Sequence, residues 1–137
     1  MNAPGETYSL NLLLFSVGGV SFGVDADQVA GISEYRGDDG EDLLWFHEEL
    51  DYGGSVVSYH SPTVITIRSE AEVPYRVIID SMEDITEFRQ DEITVFPALL
   101  EPFVLRSGMW GILPRPGKMV LLLDFQLLLK GRPSRPD

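Results

Sequence analysis

The 137-residue chain contains no cysteine. That excludes a disulfide framework, thiolate catalysis and a cysteine-ligated zinc, and it fits a reducing compartment, so a cytoplasmic location is expected. Histidine is nearly as scarce. His47 and His60 are the only two; they fall in different segments, and "HEEL" is only the beginning of a zinc-binding H-E-x-x-H. No metal or cofactor is expected. Basic residues are also few, 10 Lys+Arg against 22 Asp+Glu, for a net charge of −12. Such a surface repels nucleic-acid backbones and anionic lipid, so nucleic acid is not an expected partner and a basic protein surface suits the charge better. Long apolar runs are missing too. The most apolar stretch, "KMVLLLDFQLLLK" at 118–130, carries Asp124 in its middle and lysine at both ends. A spanning helix needs about 20 predominantly apolar residues, so no membrane insertion is expected. The start, "MNAPGETYSLNLLLF", has neither a positive region nor a small-residue cleavage site, and no secretory signal is read there.

What the chain does contain is a succession of short β-like runs separated by Gly and Pro. The length allows one compact domain, large enough to hold a core without staples. A leucine-rich run to Val17, Gly18-Gly19 and then alternating "VSFGV" predict a tight hairpin. "DADQVAGI" predicts a turn capped by Asp25 that carries Val29 inward, followed by a strand over Ile32 to Arg36. "GDDGED" at 37–42 is a polar loop. "LLWFHEELDYGG" predicts a strand entering a short helix that ends at Gly53-Gly54; "VVSY", "TVITIRS" and "YRVIIDSM" predict further strands. "FPALLEPF" is punctuated by proline and cannot be an inner strand throughout. The end predicts a second hairpin turning at "PRPG", and after Asp124 the period changes to put Phe125, Leu128 and Leu129 on one helical face. Gly131 and Pro133 stop that helix. The expected fold class is therefore mainly β, a barrel or sandwich with a short C-terminal helix.

Each motif that hints at chemistry has a plainer explanation. "GVSFG" at 19–23 has the letters of a hydrolase nucleophile elbow, but that chemistry needs Ser21 on a sharp strand-to-helix turn. Here the serine falls inside an alternating strand. The acidic stretches lack the D-x-[DN]-x-[DN]-G and terminal Glu of a calcium loop. Asp80 and Asp124 each follow an apolar strand, which suits a helix N-cap accepting from the first N–H groups better than catalysis without a partnered base. Trp45 and Trp110 are core or corner residues, or interface anchors if exposed. No active site is expected.

With those elements in order, the sequence resembles the CheW-like domain family of bacterial chemotaxis coupling proteins. Three blocks carry the likeness: "LLLFSVGGVSFGVDADQVAGI", "TVITIRSEAEVPYRVIIDSMEDITEFRQDEITVFPALL" and "SGMWGILPRPGKMVLLLDFQLLL". The resemblance implies two small five-stranded SH3-like barrels sharing a core. The single domain would span 8–130, with a first barrel over 8–60, a second over 61–130, and flexible tails at 1–7 and 131–137. It implies a non-catalytic adaptor that bridges the regulatory domain of a CheA-type histidine kinase to chemoreceptor cytoplasmic tips or to a related two-component pathway. Barrel edges and the inter-barrel groove would be the binding surfaces, with Val20, Glu34, Arg36 and Trp110 as the partner-binding residues. Two departures stand out. The family's N-L-R-G segment is absent, Arg36-Gly37 being a faint echo. The acidic residue that usually precedes the isoleucine of its V-x-E-I element is Gly31, with Glu34 three positions on. The alternatives are a small-ligand sensor using the groove as a polar-lined pocket, and a serine hydrolase using Ser21.

Overall fold

The computed structural model describes residues 9–37, 43–50, 56–68, 74–100 and 108–129. The expectations for 1–7, 131–137, Gly53-Gly54 and nearly all of "GDDGED" fall outside those residues.

The chain is mainly β. Strands β1 (Ser9–Val17) and β2 (Val20–Asp25) form the expected hairpin, closing on Val17 opposite Val20. Gly18 and Gly19 have φ of 61° and 82°. A two-residue turn with both φ positive matches the twist of the strands it joins, and glycine reaches that region without steric cost. A 3₁₀ turn (Ala26–Gln28) leads to β3 (Val29–Glu34), which begins three residues before the expected Ile32 and ends two before Arg36. Then come β4 (Leu43–Trp45) with α1 (Phe46–Glu49), β5 (Thr63–Ile67), β6 (Tyr75–Arg89) and β7 (Thr94–Val95). The chain closes with β8 (Met109–Arg115), β9 (Lys118–Leu123) and α2 (Phe125–Leu129). The β8–β9 hairpin turns at Pro116-Gly117, as the "PRPG" signal predicts. The "VVSY" stretch, expected as a weak strand, is irregular where described.

The strand order is β3-β5-β6-β1-β2-β9-β8-β7, with β4 attached in parallel to β6. β6 is the hinge of this arrangement. Its first half, Tyr75–Ile79, lies against β5, and Arg76–Ile78 also against β4; its second half, from Asp80 onward, lies against β1. At the changeover, Leu14, Phe15 and Ser16 of β1 face Asp84, Met82 and Asp80, so β6 uses two residues for each one of β1. Ser81 there has φ of 30°. Such bulges bend a strand and raise its twist, which lets one strand serve two sets of neighbours. Pairing therefore runs across the expected division near residue 60: β1 and β2 join β9 and the far half of β6, while β3 and β4 join β5 and the near half.

Two apolar clusters flank β1 and β9. Leu13, Phe15 and Val17 enter the larger one, with Phe22, Phe46, Ile65, Ile79, Leu123 and Phe125; Leu12 enters the smaller one with Phe88, Leu113, Val120 and Leu122. Alternate residues of β9 likewise go to opposite sides. A strand buried on both faces reads as a continuous apolar run, and this is why the two leucine-rich stretches do not alternate. At the centre of the larger cluster Phe46 meets Phe15 edge-on at 5.2 Å and Phe22 at 4.8 Å between ring centroids.

Candidate protein-binding surface

β3 ends the strand order, so its outer edge has no strand neighbour among the described residues. Beside it lies an open groove of about 250 Å³ lined by Leu13, Ala26, Val29, Ala30, Ile32 and Ile85, with Gly31 in its wall. Leu13 and Ile85 are opposite one another across β1 and β6, and the small residues on the β3 side leave the space above them. Ile32 and Ile85 are 43% and 49% exposed. Every lining residue is apolar or glycine. A small-molecule pocket needs a few convergent polar groups to orient its ligand, and this groove offers no such side chain. It suits an apolar side chain from another protein.

A rigid junction holds the groove's 3₁₀ segment. The Asp25 carboxylate accepts from the Asp27 amide at 2.9 Å, as a cap should. Gln28, instead of reaching back to that cap, crosses to the end of β9. Its Nε2 donates to Asp124 at 2.8 Å, and its Oε1 accepts from the Phe125 amide at 2.9 Å. Asp124 also accepts from the amides of Gln126 and Leu127 at 2.9 and 3.2 Å. Asp124 is thus the N-cap of α2, as the period change predicts. Asp80 is different. It is only 4% exposed, and its carboxylate accepts from the amides of His60 and Ser61 at 3.0 and 2.6 Å. The cap expected of Asp80 is corrected to a loop clamp, because β6 continues through it and no helix follows.

The four expected partner-binding residues do not gather in one place. Glu34 is exposed at the end of β3, and Arg36 is exposed two residues further on. Val20 is half-buried at the first hairpin against the larger cluster, and Trp110 is half-buried on β8 against the smaller one. Only the first two belong to the β3 edge. The pattern reading missed Ile32, Ile85 and the Ala26–Ala30–Gly31 series. Its only sequence signal was a run of small residues where a strand normally carries branched ones. Gly31, the departure from the family pattern, lies in the groove wall; a Cβ there would meet only Thr66, at 3.9 Å.

Ser21 lies within β2, opposite Ser16 and Val120, so the nucleophile elbow is not built. His47 Nδ1 lies 3.0 Å from the Tyr59 hydroxyl. Among the described residues no group of His, Asp and Glu could hold a metal ion, and no helix is long and apolar enough to cross a membrane.

No family model and no curated protein matches the sequence. Among solved structures, the crystal structure of the scaffolding protein TtCheW from Thermoanaerobacter tengcongensis matches with a TM-score of 0.66 at 12% identity, covering 91% of this chain and 95% of that one. The fold is CheW-like. Coverage this even on both sides means that the CheW-like fold takes in both sets of strands joined by β6. Identity this low means that the likeness is one of backbone path and apolar spacing, the same features that carried the sequence resemblance.

Proposed function

We propose that the chain is a non-catalytic cytoplasmic adaptor. It links the regulatory domain of a CheA-type histidine kinase to chemoreceptor tips or to a related two-component pathway. The observation that carries this reading is the apolar groove beside β3, whose outer edge has no strand neighbour among the described residues, on a CheW-like fold. An open edge strand next to an apolar groove offers main-chain hydrogen bonds and a side-chain socket together, a recurrent way of holding a protein segment. Without a carboxylate at Gly31, the groove selects by shape and apolar contact, and the acidic surface around it sets the rate of encounter. Glu34 and Arg36 flank the edge as rim contacts; Val20 and Trp110 remain proposed contacts on separate surfaces.

The test is binding of the purified protein to CheA-type regulatory domains and receptor-tip fragments from the same genome. Ile32→Arg or Ile85→Glu should weaken that binding roughly tenfold or more while leaving the fold intact. Absence of binding to every such kinase and receptor sinks the reading. Binding that ignores both substitutions moves the site away from the groove.

A further inference from the structure

Away from the groove, four aromatic side chains meet at the outer side of β4. The alternation of β4 explains why they are there. Leu44 packs into the larger cluster and Phe46 is buried in it, so the intervening Trp45 faces the other way. Its ring centroid lies 5.4 Å from that of Tyr35 at 72° and 5.0 Å from that of Tyr59 at 73°. His47 closes the group, 5.5 Å from Tyr59. All four are half-buried rather than core. Trp45 thus meets both tyrosines in T-shaped contacts and keeps part of its surface exposed.

The cluster is held stiff. The Tyr59 hydroxyl accepts from the His47 amide at 3.2 Å and lies 3.0 Å from His47 Nδ1. Carboxylates lie on the Tyr59 side, while Arg36 follows Tyr35 in the chain. Glu48 is exposed on α1, and its charge and that of Asp80 both bear on the Tyr59 hydroxyl.

We propose that the Tyr35–Trp45–Tyr59 surface, with Glu48 at its rim, receives the guanidinium of an arginine presented by a partner protein. An indole face attracts a cation most strongly among the aromatic faces. A nearby carboxylate adds the forked hydrogen bonds that favour arginine over lysine. The net charge of −12 selects a basic protein segment and disfavours nucleic acid, whose own charge it would repel. None of these residues lines the groove, so this surface and the groove can fail independently.

The probe is the acetylated, amidated peptide Gly-Arg-Gly-Arg-Gly, with lysine and citrulline analogues. It is titrated into the full chain while the Trp45 indole N–H resonance, assigned with Trp110→Phe, is followed. The resonance should shift saturably with the arginine peptide, at least about threefold more weakly with lysine, and not with citrulline. Glu48→Gln, on an exposed site that leaves the fold intact, should weaken arginine binding about two- to threefold. Trp45→Phe, which keeps a ring there and is followed through the Tyr35 and Glu48 backbone amides instead, should weaken it further, whereas Ile32→Arg should leave it unchanged. A Trp45 resonance that does not move overturns the proposal, as does an equal response to citrulline. Peptide-induced shifts spread over the acidic surface with Trp45 still would overturn it too.

Discussion

Asp80 and Asp124 look alike in the sequence, each an aspartate closing an apolar strand, in "VIID" and "LLLD". In the fold they do different work. Asp124 is half-exposed, caps a five-residue helix and anchors Gln28. Asp80 is buried at the bend of β6, where one strand passes from one set of neighbours to the other, and it pins the amides of His60 and Ser61. Water can replace part of what Asp124 provides. The Asp80 carboxylate is buried, while His60 and Ser61 are exposed residues whose bonds to it are part-buried. The difference is one of environment, and it ranks the consequences of removing each side chain.

The largest effect belongs to Asp80. Asp80→Ala empties a buried site and takes the shared acceptor from two part-buried amide bonds, and should cost about 3 kcal/mol. That would lower Tm by roughly 10 °C in a chain of this size. Asp80→Asn keeps one acceptor oxygen and should lose less. Thermal unfolding of the two variants checks this, and equal small losses would show that water reaches the clamp. Next is Asp124→Ala, which removes the α2 cap and the Gln28 anchor, with an expected loss of about 1 to 2 kcal/mol. If the loss equalled that of Asp80→Ala, burial would not be what separates the two sites. Smaller still is the coupling between Gln28 and Asp124. A double-mutant cycle with Gln28→Ala should return about 0.5 to 1 kcal/mol, and a value near zero would mean that the side chains meet without mutual support.

What the sequence revealed of these sites follows from how local each signal is. Gly18-Gly19, Pro116-Gly117 and the period change at Asp124 are decided by neighbours in the chain, and all three are legible. β6 was read as ending near Met82. Glu83, Asp84 and Glu87 are poor strand formers by propensity, yet all three are exposed in β6, and the pairing of this half with β1 overrides propensity. The bulge at Ser81 breaks the alternation that would have shown the strand running on. The groove is less legible still, because Leu13, Ile85 and the small residues of β3 come together only through the pairing of distant strands. Of the candidate residues, Glu34 ends β3 and Arg36 lies two residues beyond it, and none of the four lines the groove.

A last difference between the two aspartates concerns their reach. The charge of Asp80, with that of Glu48, bears on Tyr59, whose phenol is pushed up from 10.0 to about 12. Burial is the main cause; the amides of His47 and Phe46 oppose it. The folded chain thus keeps the Tyr59 proton at a pH where the unfolded chain has released it. The stabilisation this gives is whole below pH 10 and is lost as pH rises from 10 towards 12, because the unfolded state binds fewer protons across that window. Wild type and Tyr59→Phe should therefore converge in urea midpoint between pH 10 and 12, after a gap of about 1 kcal/mol at neutral pH from the lost contact with His47. Asp80→Asn should lower the pH at which Tyr59 ionises, while Asp124→Asn should leave it in place. If the wild-type and Tyr59→Phe curves stay parallel, Tyr59 ionises alike in both states and its burial does not govern its proton.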